Sequence, residues 1–219
     1  MGRFLKVLFF ALCIKPIVFF GLGLNVFFKE RLPKKGPAIL VANHNSHLDA
    51  MVIMSLYPLR DIHKVRPVAA ADYFLSNKLL AWFSLNVIGI IPIHRGQVKD
   101  KNSLFDDCHQ ALDNDDILVL FPEGSRGEPE RLSSLKRGIH HLIKTQPALN
   151  VVPVIMHGLG RALPKGEMVF VPFNCDVVIG ESIPFIDDAK QYVQSVSTAL
   201  NNLLALCLTR QSIVSDEQE

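Results

Sequence analysis

Residues 36–56 read "GPAILVANHNSHLDAMVIMSL" and decide the fold class, because an apolar run, a polar loop and a second apolar run follow one another directly. The run "GPAILVANH" is typical of a short buried strand that ends in a loop. The run "SHLDAMVIMSLYPL" predicts a helix, and Ser46 stands where an N-cap residue would precede its first turn. We therefore predict a strand–loop–helix unit with its polar residues at the junction.

The same alternation of strand and helix patterns continues over the rest of the 219 residues, a length that fits one substantial domain. Alternating elements favour an α/β layer structure with a mostly parallel central sheet flanked by helices. The late run "EMVFVPFNCDVVIGE" predicts a hairpin, which would make this sheet mixed. Further strands are predicted at "VRPVAAADYF", "IIPIHR", "DILVLFPEG" and "VVPVIMHG", and further helices at "LLAWFSLNVIG", "KNSLFDDCHQALDN", "SLKRGIHHLIKTQ" and "DDAKQYVQSVSTALNNLLALCL".

The N-terminal segment 4–28 is apolar and contains only two charged residues, Lys6 and Lys15. Its length is sufficient to span a bilayer. However, a lysine at the bilayer centre costs about 2.5–3.5 kcal/mol, and Pro16 would break a continuous helix. We therefore expect two shorter apolar helices that enter one leaflet, and the alternative is a buried N-terminal hairpin of a soluble protein.

A basic cluster follows the apolar segment, as expected for a chain that meets anionic lipid on the cytoplasmic side. The net charge of +2 gives no general signal for nucleic acid, and four dispersed cysteines favour a reduced compartment. We predict the cytoplasmic face of the inner cell membrane, with monotopic or single-pass attachment. The cluster consists of Lys29, Arg31, Lys34 and Lys35 against Glu30.

The loop "NHNSHLD" holds a candidate general base. His44 lies in the loop and Asp49 in the first predicted helical turn, so the chain reversal between them can bring the carboxylate against the imidazole. Such a pair fixes the tautomer of the histidine and stabilises the imidazolium that forms. In the structural alternative, Ser46 and Asp49 form a capping box that starts the helix. That alternative explains Asp49 but leaves His44 without a role.

A metal site would use His44, His47 and Asp49. The two histidines are three residues apart, a spacing that ligands on a helix can use. The predicted helix begins between them, and no other His or Cys group supplies a clear further ligand. We therefore predict no metal.

Two further loops carry candidate anion-binding residues. In "FPEGSRG", glycines allow backbone N–H groups to approach an anion, and Arg126 could bind a phosphate through two hydrogen bonds. The structural alternative is an ordinary solvated turn. Arg95 follows "GIIPIH", and Lys136 lies at the start of the next predicted helix.

Together these blocks resemble the signature of the glycerolipid acyltransferases of the lysophosphatidic acid acyltransferase type, the PlsC-like family. Asn43, His44, Ser46 and Asp49 match its NH-x-S-x-x-D block. One short motif recurs by chance, whereas several ordered blocks in one chain are specific. The other matches are Gly89 to Arg95, "FPEGSR" at 121–126, Lys136 with Gly138, and "VVPV" at 151–154, and the resemblance extends over residues 36 to 185.

The resemblance implies direct acyl transfer from an acyl thioester to a lysolipid hydroxyl, without a cofactor. The donor would be acyl-CoA or the acyl carrier protein thioester, and the acceptor lysophosphatidate in the membrane. It implies a membrane-associating segment at 1–35, an acyltransferase domain at 36–210 and a flexible tail at 211–219. It makes His44 the base and Asp49 its partner, and it gives acceptor binding to Arg95, Glu123, Gly124, Ser125, Arg126 and Lys136.

The sequence departs from the family at Ala71, where many members carry a lysine that helps to hold phosphate. Arg66 or Lys64 could compensate. If neither does, the acceptor would be another lyso-lipid, such as a lysophospholipid or a lyso-ornithine lipid. A further alternative is a non-catalytic lipid-binding membrane protein, which would have no use for a positioned base.

Overall fold

The computed structural model describes residues 2–46, 48–94, 104–125, 127, 131–162 and 173–210. In these residues seven strands form one sheet, with helices on both of its faces. The strands are β1 Gly23–Phe27, β2 Ala38–Ala42, β3 Val65–Ala70, β4 Ile91–Ile93, β5 Ile117–Leu120, β6 Asn150–His157 and β7 Asn174–Ile179. The helices are α1 Gly2–Gly21, α2 Asp49–Ser55, α3 Ala71–Phe74, α4 Lys78–Ile88, α5 Asp106–Asp113, α6 Gly138–Ile143, α7 Leu159–Ala162 and α8 Ala189–Leu204.

The strand order is β1-β7-β6-β2-β5-β3-β4. Strands β6, β2, β5, β3 and β4 run parallel, whereas β7 is antiparallel to β6 and β1 is parallel to β7. The predicted fold class, a mixed and mostly parallel α/β sheet, is therefore confirmed. The antiparallel strand is the second half of the predicted hairpin, and the first half lies outside the described residues.

Strand β2 lies near the middle of the sheet, and all five of its residues are buried. Its side chains alternate between the two faces, since Leu40 packs in one core cluster and Ile39 and Val41 pack in the other. Val41 is paired with Leu120 of β5, so the loops that follow these two strands leave the same edge of the sheet. Ligands of parallel α/β sheets bind at this edge.

The helices divide between the two faces of the sheet. α1, α2 and α4 contribute residues to the core that contains Leu40. α5, α6 and α8 pack on the opposite core, where Tyr192 and Cys108 are fully buried. The side of α5 that carries Cys108, Ala111 and Leu112 faces that core.

The prediction of two short N-terminal helices is wrong, because α1 is one continuous helix through Pro16. The helix widens to π-type turns on both sides of the proline, at Phe10–Ile14 and Ile17–Gly21. Such turns change which carbonyl each N–H reaches, so the helix accommodates a residue that has no N–H. Lys15 also finds partners, since its Nζ donates to Ser55 O at 2.8 Å and Tyr57 O at 3.1 Å.

The apolar segment does not continue as a helix beyond residue 21. Residues Gly23–Phe27 form the edge strand β1, and Asn25 Nδ2 donates to Asp176 Oδ1 of β7 at 2.9 Å. A strand on the N-terminal side of residue 35 thus belongs to the central sheet. The division of the chain at residue 35 stays a prediction, and the tail 211–219 lies outside the described residues.

Candidate active site

His44 and Asp49 form a hydrogen-bonded pair at the carboxyl edge of the sheet. His44 Nδ1 lies 2.9 Å from Asp49 Oδ2. The aspartate side chain is fully buried, whereas the histidine side chain keeps 25% of its surface exposed. The geometry expected of a base and its orienting acid is therefore present, with the imidazole open to a substrate.

The same carboxylate oxygen fixes the loop that carries His44. Asp49 Oδ2 accepts the backbone N–H of Asn45 at 2.6 Å and that of Ser46 at 2.8 Å. The capping alternative predicted an acid that starts the helix, and here Asp49 binds the backbone just before α2 as well as the imidazole. The structural role and the chemical role therefore coexist in Asp49.

Glu123 holds the loop from the other side. It is buried, and its Oε1 accepts the backbone N–H of His44 at 2.8 Å, while its Oε2 accepts the N–H of Ser133 at 3.1 Å. The family resemblance gave this residue a part in binding the acceptor. Since both of its oxygens bind backbone N–H groups, its contacts in the structure join three segments of the site to one another.

Asn43 extends the pairing between β2 and β6 with its side chain. Its Nδ2 donates to Met156 O and its Oδ1 accepts the N–H of Met156, both at 2.8 Å. Phe121 completes the support, because its ring stacks on the imidazole of His44 with centroids 4.3 Å apart. Sequence analysis assigned neither residue a role, although Asn43 directly precedes the histidine and Phe121 begins the "FPEGSR" block.

An apolar cavity of about 470 Å³ opens beside His44. Its walls come from distant parts of the chain, which the sequence could not show. Phe9 of α1 and Phe83 of α4 both contribute, and their rings meet edge to face at 5.2 Å. The cavity is also lined by Met51, Pro67, Val68, Ala69, Ala70, Phe74, Ile88, Ile90 and Phe121.

Two of the predicted acceptor-binding residues lie at this cavity. Gly124 and Ser125 both line it, and Gly124 adopts φ of +79°, a left-handed conformation that favours glycine. Lys136 is exposed and does not belong to the described lining, although its backbone N–H donates to Pro122 O at 2.7 Å. Arg95, Arg126 and His47 lie outside the described residues, so their predicted roles stay predictions.

Lys64 and Arg66 are not at the site. They lie at the amino end of β3, and both pair with Asp116, Lys64 at 3.4 Å and Arg66 at 3.7 Å. Since the cavity is at the carboxyl end of the same strand, neither side chain replaces the lysine that is missing at Ala71. The described lining contains Asp72 but no Glu, Lys or Arg side chain.

The described residues contain no group of three or more His, Cys, Asp and Glu side chains arranged to hold a metal ion. The expectation of a metal-free site stays a prediction.

Comparisons with known proteins relate the chain to a family. The acyltransferase family profile matches residues 23–157. The chain is 28% identical over 168 residues to the human 1-acyl-sn-glycerol-3-phosphate acyltransferase alpha, a match of 75% of this chain and 56% of that protein. It is 26% identical over 162 residues to a chloroplastic 1-acyl-sn-glycerol-3-phosphate acyltransferase of Arabidopsis thaliana, a match of 73% of this chain and 43% of that protein. The chain thus spans about half the length of these curated relatives.

A solved structure shares the fold. The 1-acyl-sn-glycerophosphate acyltransferase PlsC from Thermotoga maritima superposes with a TM-score of 0.68 over 90% of this chain and 80% of that chain, at 20% sequence identity. The family profile extends from β1 to the end of β6 and includes both His44 and Glu123. The predicted family resemblance is confirmed, and the chain belongs to the acyltransferase family.

Proposed function

We propose that this protein is a membrane-associated O-acyltransferase that converts lysophosphatidate to phosphatidate. The donor is a fatty acyl thioester of coenzyme A or of acyl carrier protein, and no other cofactor takes part. The observation that carries the proposal is the hydrogen-bonded pair of buried Asp49 and partly exposed His44 at 2.9 Å, beside an apolar cavity. The names of the human and Arabidopsis relatives support the acceptor.

The hydrogen bonds of Asp49 determine which ring nitrogen acts. The carboxylate oxygen accepts hydrogen bonds, so the His44 Nδ1 next to it carries the proton. Nε2 is then the unprotonated nitrogen and can accept a proton from a hydroxyl group. A neutral imidazole held in this tautomer is a competent general base near neutral pH.

Acyl transfer then proceeds in two steps. The acceptor oxygen bonds to the thioester carbonyl carbon while its proton passes to His44 Nε2, which gives a tetrahedral intermediate and an imidazolium next to Asp49. The carbon–sulfur bond breaks, and the imidazolium returns the proton to the leaving thiolate. The products are an ester and a free thiol, and the protein is unchanged.

The backbone N–H groups of residues 44–46 are not available to stabilise the oxyanion of this intermediate. The backbone N–H groups of His44, Asn45 and Ser46 already bind the carboxylates of Glu123 and Asp49. The donors must therefore come from another segment. Ser125, which lines the same cavity, is our candidate, because the N–H of Gly124 already donates to Phe121 O at 3.1 Å.

The proposed attachment to the membrane is through α1. This helix is long and apolar enough to cross a membrane by length and composition. One side of α1, however, is buried against the rest of the domain between Lys6 and Val18. The opposite side exposes large apolar side chains such as Phe4 and Leu12. A helix packed in this way lies along the membrane surface, so we propose monotopic attachment from the cytoplasmic side.

A second acceptor class is favoured by one observation. The described lining of the cavity holds no Lys or Arg side chain, and Lys64 and Arg66 pair with Asp116 at the other end of β3. A phosphate monoester would then depend on basic residues outside the described part of the chain, such as Arg95 and Arg126. A lyso-lipid with less charge, such as a lysophospholipid or a lyso-ornithine lipid, needs fewer cationic side chains to bind its headgroup.

An acceptor screen tests both candidates. The purified protein in detergent is supplied with labelled acyl-CoA or acyl carrier protein thioester and a panel of lyso-lipids. Acylation of lysophosphatidate supports the first candidate, and acylation of another lyso-lipid alone supports the second. If the panel yields no ester product with either donor, the proposed reaction is wrong.

A further inference from the structure

Helix α4 carries an apolar stripe that no part of the described structure covers. Leu79 is 81% exposed, and Trp82 and Leu85 are 49% and 43% exposed. These residues are three apart, so they lie along one side of the helix. Exposed apolar side chains grouped in this way mark a surface that meets a partner or a membrane.

This stripe lies beside the exposed stripe of α1. The two helices are in contact, since Phe9 and Phe83 pack edge to face at 5.2 Å, and a methyl group added at Gly2 would lie 3.0 Å from Asn86 O. Their inner sides share one core on the same face of the sheet. The outer sides are therefore neighbours on the surface, and together they form what we call the α1–α4 face. Its exposed residues are Phe4, Leu8, Leu12, Leu79, Trp82 and Leu85.

The charges of these two helices indicate what kind of surface the α1–α4 face binds. Neither α1 nor α4 contains an acidic residue, whereas each begins with a cation, Arg3 and Lys78. Beyond the end of α1 the chain continues into the exposed basic residues Lys29, Lys34 and Lys35. An apolar surface with cations at its rim is complementary to an anionic lipid leaflet. Tryptophan is also enriched where a protein meets the membrane interface.

We propose that α4 is a second membrane-contacting element and that the α1–α4 face as a whole is immersed in one leaflet. The cavity lies next to this face. Its wall residues Phe9 and Phe83 directly follow the exposed residues Leu8 and Trp82 in the two helices. The cavity beside His44 therefore shares a wall with the α1–α4 face. The inference rests on the proposed membrane association but not on the identity of the acceptor.

Trp82 reports on this contact directly, because it is the only tryptophan in the chain. The full-length protein is mixed with vesicles of phosphatidylcholine and phosphatidylglycerol in equal parts, and its fluorescence is recorded. We expect the emission to shift to shorter wavelength and to be quenched when the lipids carry brominated acyl chains. Unshifted and unquenched emission from protein that sediments with the vesicles would overturn the proposal.

Two charge variants test the same contact by affinity. We expect Leu79→Asp and Leu85→Asp each to weaken vesicle binding about tenfold, because a leucine side chain that enters the leaflet is replaced by a carboxylate that faces anionic lipid. Leu206→Asp is the matched control, since Leu206 is 49% exposed and lies next to Cys207, which is buried in the core on the opposite face of the sheet. Equal vesicle affinity of all three variants would contradict the proposal.

An activity assay separates this inference from the proposed reaction. With short-chain, monomeric acyl donor and acceptor in solution, Leu79→Asp is expected to retain the wild-type rate, because neither the pair at His44 nor the cavity wall is changed. With substrates in vesicles its rate is expected to fall. If the wild type is inactive in both assays, the proposed reaction fails, and the fluorescence of Trp82 still decides whether α4 enters the leaflet.

Discussion

The carboxylate of Glu123 accepts a hydrogen bond from the backbone N–H of His44, 79 residues earlier in the chain, at 2.8 Å. Its second oxygen accepts the N–H of Ser133. One buried side chain therefore sets the relative position of the loop after β2, the turn after β5 and the segment that leads to α6. Because His44 is the proposed base, an error in this position would move the imidazole away from the acceptor.

This contact leads to a prediction for Glu123→Gln. The amide can accept one of the two N–H groups, but its NH₂ group faces the other, so we expect a loss of about 1–3 kcal/mol in unfolding free energy. We also expect kcat to fall at least about tenfold, because the loop that carries His44 is displaced. Urea unfolding and steady-state kinetics measure the two effects. Glu181→Gln is the matched control, because the side chain of Glu181 is 82% exposed and pairs only with Arg31 among the described residues. Wild-type kcat in Glu123→Gln would show that this contact does not position the base.

Replacement of Asp49 separates chemistry from helix capping. Asp49→Asn keeps the size of the side chain but removes the charge that stabilises the imidazolium, so we expect kcat to fall about a thousandfold or more. Capping alone would cost only about 0.5–2 kcal/mol of stability and would leave the rate of the folded protein unchanged. Kinetics and thermal unfolding on Asp49→Asn and Asp49→Glu distinguish the two roles. A folded Asp49→Asn protein with the wild-type rate contradicts the catalytic role.

Lys15 is expected to stabilise the domain rather than to bind lipid. Its ammonium group caps the end of α2 through Ser55 O and Tyr57 O, and α2 begins at Asp49. Lys15→Met should lower the unfolding free energy by about 1–2 kcal/mol, because charged hydrogen bonds to two carbonyls are lost. Vesicle affinity should stay within about twofold, since the exposed apolar residues of α1 are retained. A selective loss of vesicle binding with unchanged stability would show the opposite role.

We expect the folded protein to lose stability in acid because of His157. Burial lowers its pKa below the usual value of 6.5, and its Nδ1 lies 2.7 Å from Thr209 Oγ1, which donates to Asp176. Below pH 6.5 the unfolded chain binds a proton at this histidine that the folded protein does not, so stability decreases as pH falls through 6.5 toward the lowered pKa. Since Asn keeps an N–H donor toward Thr209 but does not titrate in this range, the stability of His157→Asn should decrease less steeply as the pH falls. Thermal unfolding at several pH values measures the slopes, and parallel slopes would contradict the assignment.

The fold and the reacting pair could be predicted from the sequence because their signals are local. β2 is a continuous apolar run that ends in a polar loop, α2 follows that loop directly, and Asp49 is five positions after His44. The continuity of α1 through Pro16 could not be predicted, because it depends on π-type turns and on carbonyl partners for Lys15 in a distant helix.

The remaining features of the site depend on contacts between distant parts of the chain. The contact of Glu123 with His44 exists only once β5 lies next to β2. Phe9 reaches the cavity only because α1 packs beside α4. A resemblance in motifs identified these blocks as functional, but it did not distinguish a side chain that contacts substrate from one that holds the backbone in place.

The central claim is that His44 is the base of an acyl transfer to a lyso-lipid. The most direct measurement compares ester formation from labelled acyl-CoA and lysophosphatidate by the wild type and by His44→Ala, with thermal unfolding recorded for both. The account predicts ester formation by the wild type and a loss of about a thousandfold or more in kcat for a variant that remains folded. Equal rates of ester formation by the two proteins would contradict it.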